Sequence, residues 1–230
     1  MAGGWRRISQ AARVLTGAAP IDGVTWPVAL RGTSVGGISL ELRALRLSDE
    51  GTFHAVRRAN AAWLEPWDAT SPAEDGPPLN FAALVARYDE EARLGRALPF
   101  VITVDGQLVG QLNVSNIVLG SFRSCTVGYW VSRAVAGLGV APTALALAGD
   151  FAFEHRRLHR IEVNIRPENA ASIAVVRKLG FRDEGERQRY LHIDGAWRDH
   201  RSYAVTVEDL AGERLIDRLA RLGNSRSSQA

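Results

Sequence analysis

The chain has 230 residues, 46% of them hydrophobic and 23% charged, with a formal net charge of +3. That composition suits a folded chain with one sizeable core, and no apolar run reaches the roughly 18 residues that a membrane helix needs. A single cysteine, Cys125, excludes an internal disulfide and a zinc site built on cysteine pairs. The mild positive excess fits an anionic ligand, yet it is too thin for a dedicated nucleic-acid surface. The N-terminus, "MAGGWRRISQ", carries charge without the apolar stretch of a secretory signal. A cytoplasmic protein without membrane or direct nucleic-acid contact is expected.

In chain order, residues 1–36 read as a basic, Ala-rich extension ending in a leading strand. In "GGISLELRAL", Ile38, Leu40 and Leu42 share one face and Glu41 and Arg43 the other, the pattern of a half-buried strand. Ser48 is the candidate N-cap of the next helix. "LEPWDATSPAEDGPP" is punctuated by prolines and reads as a loop, and residues 79–94 have helical spacing. "PFVITVDGQLVGQLNVSNIV" is a hairpin turning at Asp105-Gly106, and "CTVGYWV" is a third strand. After a glycine-containing segment and its helix come a strand, "HRIEVNIR", and a helix, "PENAASIAVVRKLGF", closed by Gly180. A last hairpin turns at Asp194-Gly195, and residues 211–230 read as an amphipathic helix followed by an unstructured tail. The order predicts one mixed α/β (α+β) domain over 37–210, with additions at each end.

The segment "AGLGVAPTALALAGDF" places Gly137 and Gly139 directly before a helix. It lacks the third glycine of a dinucleotide fingerprint, Pro142 standing there instead, and it lacks the Gly-Lys-Ser/Thr of a phosphate-binding Walker loop. Helix N-termini attract anions through free amides and the helix dipole, and glycines let a ligand approach the backbone. From this stretch by itself, a phosphate cradle and a plain helix-start turn fit equally well.

The stretch "HRIEVNIRPENAASIAVVRKLGFRDEG" changes that balance. Together with Gly128-Tyr129-Trp130, "AGLGVAPT" and "DGAWRDHRSYAV", all in this order, it resembles the Gcn5-related N-acetyltransferase (GNAT) superfamily, and within it the ribosomal-protein-alanine (RimJ/RimL) branch. The resemblance covers roughly residues 38–207. It implies a mixed, mostly antiparallel sheet flanked by helices and split by a V-shaped opening between the strands at 124–131 and 158–165. Acetyl-CoA, the co-substrate, would lie in that split. Its pyrophosphate would sit on Gly137, Leu138, Gly139, Val140, Ala141 and Thr143, and its pantetheine would pair with backbone near Trp130 and Val131. No metal is implied.

The resemblance also distributes catalytic roles. Many relatives protonate the leaving thiolate with a tyrosine where this chain has Val176; in the RimL-like pattern a serine serves, here Ser172. Asn169 would bond pantetheine or fix the helix start. The glutamate proposed as base in that pattern aligns with Leu191, so Glu162, mid-strand beside the split, is the candidate base acting through water; a surface residue paired with Arg160 or Arg201 is the bland alternative. The Val131 amide is the candidate oxyanion donor. Trp63, Trp67, Tyr190 and His192 are candidates for the acceptor cleft, against plain packing or solvent exposure. Cys125, with no adjacent histidine, reads as a buried core thiol. The expected activity is direct transfer of acetyl to a protein N-terminal α-amine, as on a ribosomal protein beginning with Ala, with ribosome association, by a monomer or homodimer. A small-molecule amine acceptor and a non-catalytic acyl-CoA-binding module are the alternatives.

Overall fold

The computed structural model describes residues 25–73 and 79–227; segments 1–24, 74–78 and 228–230, with the expectations placed on them, lie outside the described residues. Eight strands form one sheet: β1 Leu30–Thr33, β2 Ser39–Ala44, β3 Leu98–Val104, β4 Gln107–Val118, β5 Ser124–Val131, β6 Arg160–Ile165, β7 Arg182–Ile193 and β8 Ala196–Thr206. The helices are α1 Glu50–Ala59, α2 Ala61–Leu64, α3 Phe81–Arg93, α4 Val140–Glu154, α5 Ala170–Lys178, α6 Val207–Leu210 and α7 Leu215–Ser227. The strand order is β1-β2-β3-β4-β5-β6-β8-β7. Every neighbouring pair is antiparallel except β5 and β6, which run parallel. This is the mixed, mostly antiparallel sheet flanked by helices that the resemblance implies.

Both predicted hairpin turns have two positive-φ residues, Asp105 at 49° with Gly106 at 77° and Asp194 at 48° with Gly195 at 71°. That is the backbone of a type I′ turn, whose twist matches the strands it joins. Period-2 alternation sends β3 into both layers of the core. Phe100 and Ile102 join Leu112 and the α4 residues Ala144, Leu145 and Ala148 on one face, while Val101 joins Leu45, Leu108, Phe81 and Val85 on the other. Helices α1 and α3 cover the second face. The first helix begins differently from the expectation: residues 47–49 form a 3-10 turn, and the N-cap position of α1 is Asp49, not Ser48, with no side-chain bond to the helix. Asp49 is fixed there by a bidentate bond from Arg43 at 2.7 and 2.9 Å.

Almost every α4 side chain from Val140 to Ala152 is buried, so the helix reads as a continuous apolar run. It is covered from behind by α7. A Cβ on Gly149 would stand 2.5 Å from Leu215 Cδ1, so only glycine permits that approach. Asp150, 2% exposed, accepts from the Leu215 and Ile216 amides at 2.7 and 3.1 Å and so caps α7 from another element. Helix α7 continues through Ser227, into the segment whose composition reads as unstructured.

Candidate active site

Strands β5 and β6 pair only from Ser124–Arg160 to Thr126–Glu162. Beyond that they diverge, and the edge of β5 from Val127 to Val131 has no strand beside it. The register with β4 decides which groups face the opening. Ser132 N donates to Val109 O at 2.7 Å, so Val109 and Ser132 form a hydrogen-bonded pair. Alternation then commits the Trp130 main chain to Gln111 and turns the N–H and C=O of Tyr129 and Val131 into the gap. This corrects the expectation at Trp130: its backbone is used within the sheet, and it meets the cavity with its indole. The Val131 carbonyl accepts from Trp63 Nε1 at 3.1 Å, which confirms its direction and leaves the Val131 amide open.

One cavity of about 620 Å³ fills the opening. Its far wall is the start of α4. Gly137 and Gly139 both have φ of 81°, a conformation that costs glycine little. The amides of Gly137, Gly139, Val140 and Ala141 have no main-chain partner among the described residues. All four residues line the cavity. Two expected members do not. Leu138 is 46% exposed and its amide reaches back to Val135 O at 3.4 Å. Thr143 is fully buried, and both its amide and its hydroxyl bond Gly139 O, at 3.2 and 2.8 Å. Pro142 is the third helical residue, a position that lacks an intrahelical acceptor in any case.

The side wall is the first turn of α5. Asn169 Oδ1 accepts from Ser172 N at 3.0 Å, so Asn169 fixes the helix start. The Ser172 hydroxyl has no hydrogen-bond partner among the described residues, and both residues line the cavity with Lys178. The Tyr129 ring crosses the gap from β5 to this turn. Sequence reasoning missed Tyr129, although it lies two residues from Val131 and therefore on the same face.

The near wall is made of side chains. Trp63, Trp67 and Asp68 line it, with Gln111 and Asn113 from β4 as a polar floor. Gln111 Nε2 donates to Tyr88 Oη at 3.0 Å and to Asn113 Oδ1 at 3.2 Å. These two amides, at alternate positions of β4, were the overlooked signal. The segment carrying the tryptophans is tied across the opening. Asp68 takes two bonds from Arg57, at 2.6 and 3.2 Å. Arg166 donates to Pro66 O at 2.7 Å and lies 5.4 Å from the Trp67 ring centre. Ala69 bridges Ile193, and Thr70 Oγ1 lies 2.7 Å from His192 Nδ1. The segment thus forms a strap from α2 to the β7–β8 hairpin.

Three expected site residues lie off the cavity. His192 ties the strap down. Tyr190 packs under Arg187, 4.8 Å from ring centre to guanidinium, and reaches Asn164 Nδ2 at 3.5 Å. Glu162 is 8% exposed and held by Arg160 at 2.8 Å, Arg187 at 2.8 Å and Asn164 at 2.9 Å. Burial by itself would raise its pKa; the Arg160 and Asn164 hydrogen bonds and the two guanidinium charges outweigh that and hold it below the ordinary carboxylate value. Glu162, expected as the base beside the split, is thus a paired carboxylate of lowered basicity that does not line the cavity. Cys125 is 2% exposed, and burial pushes its thiol up to about 12, so it is inert packing. Among the described residues no helix is long and apolar enough to cross a membrane, and no cluster of His, Cys, Asp or Glu is placed to hold a metal.

Residues 39–182 match the acetyltransferase (GNAT) domain family. The [ribosomal protein uS5]-alanine N-acetyltransferase of Escherichia coli (strain K12) is 33% identical over 152 residues, which are 65% of this chain and 78% of that protein. The spermidine N(1)-acetyltransferase of the same organism is 28% identical over 161 residues, 70% of this chain and 82% of that one. Among solved structures, Mycobacterium smegmatis RimJ in complex with CoA-disulfide superposes with a TM-score of 0.79 at 38% identity, over 86% of this chain and 96% of that one. An open strand edge beside a cradle of free amides fits the pantetheine and diphosphate of coenzyme A. The chain belongs to the GNAT acetyltransferase family and is an acetyl-CoA-dependent N-acetyltransferase.

Proposed function

We propose that the chain acetylates the N-terminal α-amine of a protein, a ribosomal protein with a small first residue being the favoured acceptor, by direct transfer from acetyl-CoA. The observation that carries this reading is the single cavity reaching from the amide cradle, through the split, to a mouth walled by Trp63 and Trp67 and closed over by the strap. A chain end can enter such a mouth end-on. The relative at 33% identity acts, by its name, on the alanine of a ribosomal protein, which supports the same acceptor class here.

In this reading the amides of Gly137, Gly139, Val140 and Ala141 hold the diphosphate at the α4 N-terminus. The Tyr129 main chain pairs with pantetheine as an added strand. The Val131 amide donates to the thioester carbonyl oxygen, where negative charge grows as the amine attacks. Ser172 offers its free hydroxyl to the sulfur. An α-amine titrates near 8, so a useful fraction is neutral at physiological pH and water takes its proton. Alignment of amine and thioester in one enclosed cavity supplies several kcal/mol of the barrier reduction.

The test is free-thiol release from acetyl-CoA by the full chain. The acceptors are peptides beginning with Ala, Ser, Thr, Gly or Met, their Nα-blocked counterparts, and spermidine. Release with free-amine peptides and none with blocked ones is expected. Release with spermidine but with no peptide overturns the acceptor class and moves the chain to small amines, the reading that the spermidine acetyltransferase relative favours.

A further inference from the structure

The cavity encloses one phenol that no step above uses. Tyr129 Oη reaches only the Ser172 main-chain carbonyl, at 3.4 Å. The usual O–H···O distance ends at about 3.0 Å, so this is a weak resting bond for a buried donor. Tyr129 packs against the main core and lines the cavity together with Ser172. Neither hydroxyl has a strong protein acceptor.

We propose that Tyr129 is a catalytic residue that donates a hydrogen bond to the leaving thiolate of coenzyme A, beside Ser172. The inference rests on the transferase reading above and adds a residue to it. Burial pushes the phenol's pKa upward, so it stays protonated and able to donate across the neutral range. It does not give its proton away. The amine nitrogen forms the new C–N bond, and the C–S bond breaks with its electron pair on sulfur. Tyr129 stabilises that anion while keeping its own proton. The proton shed by the acylated nitrogen passes through solvent to sulfur, leaving an amide and a thiol. A hydrogen bond to a charged acceptor is shorter and about twice as strong as a neutral one, so exchanging the 3.4 Å carbonyl contact for a thiolate is favourable.

The experiment compares the wild-type chain with Tyr129→Phe, which removes the hydroxyl and keeps the ring. The ligands are coenzyme A and desulfo-coenzyme A, titrated by calorimetry at pH 10, above the pKa of the free alkyl thiol. Wild type should prefer coenzyme A, and Tyr129→Phe should lose about 10-fold of that preference. Its desulfo-coenzyme A affinity should stay within about twofold, which also shows that the variant folds. With an active acceptor, kcat should fall about 10- to 100-fold with little change in the KM for acetyl-CoA. Equal weakening of both ligands overturns the proposal and makes Tyr129 a packing residue. A fall in kcat with the ligand preference intact also overturns it, placing the phenol elsewhere in the reaction. The binding arm needs no acceptor. A wild-type chain that prefers coenzyme A but acetylates no peptide sinks the acceptor assignment and leaves this one standing.

Discussion

The two walls of the cavity are built from different materials. The wall expected to hold the cofactor, residues 136–142 and the open edge of β5, presents main-chain amides and carbonyls, with glycines at its centre. The wall facing the acceptor, residues 63–70, presents indoles and a carboxylate held by Arg57, Arg166 and the β7–β8 hairpin. Backbone groups recognise a diphosphate and an extended amide chain whatever side chains surround them. Side chains clamped by remote partners are the adjustable part, and in the proposed reading they set which amine enters.

The sharpest way to break this comparison is to add a side chain to the backbone wall. Gly139→Val forces a branched residue to φ of 81° and brings its Cβ to 3.3 Å of Ser34 Cβ. We expect acetyl-CoA affinity to fall about 30-fold by calorimetry, the sum of about 2 kcal/mol of strain and misplaced amides, with acceptor preference unchanged. A loss below threefold would mean that the loop amides do not carry the anion. Next in size is Arg57→Ala, which releases Asp68 and one end of the strap. The acceptor KM should rise about 10-fold while acetyl-CoA affinity stays put, since a removed charge partner typically costs this much. Equal change in both constants would show that the walls are coupled.

Smaller effects test what lies outside the cavity. Glu162→Gln should leave kcat within about twofold and lower the urea midpoint by an amount equal to about 1–2 kcal/mol, because two guanidiniums lose a partner. A collapse of kcat in a folded variant would restore Glu162 as base. The smallest effect concerns Glu184. Hydrogen bonds from Arg160, then Arg182, bring its pKa down to about 2 against partial burial. Its folded value lies below the unfolded one, near 4.3, so its contribution is complete above that value and is lost as pH falls from there toward 2. Stability of the wild type should therefore drop through that window, and Glu184→Gln should start about 1 kcal/mol lower and drop less. Parallel curves would assign the acid sensitivity to other carboxylates.

How much of this was legible in the sequence follows from the same division. Gly137 and Gly139 announce a backbone site because few other residues adopt their conformation, and Asp105-Gly106 and Asp194-Gly195 announce their turns for the same reason. These signals are local. Whether Trp130 or its neighbours Tyr129 and Val131 face the split depends on the partner residue in β4, and a one-residue shift of register exchanges the two sets. Glu162 looked like a base because it lies in mid-strand beside the split. Its arginines come from β6 and β7, and Arg187 is 25 residues away in sequence. The strap was read as a loop with candidate aromatics, and what gives it a function, Arg166 and His192 holding it down, belongs to distant elements.

The buried Asp150 has a consequence for the order in which the molecule is completed. It lies in the helix whose first turn is the proposed anion cradle, yet its partners are the amides of Leu215 and Ile216, near the end of the chain. During synthesis α4 emerges long before α7. Until α7 docks, the back of α4 exposes an uncapped carboxylate and the bare groove at Gly149, and the cradle rests on an unfinished helix. Coenzyme A binding should therefore be one of the last properties the nascent chain acquires, and shortening the C-terminus should abolish it from behind, without touching a residue of the cavity.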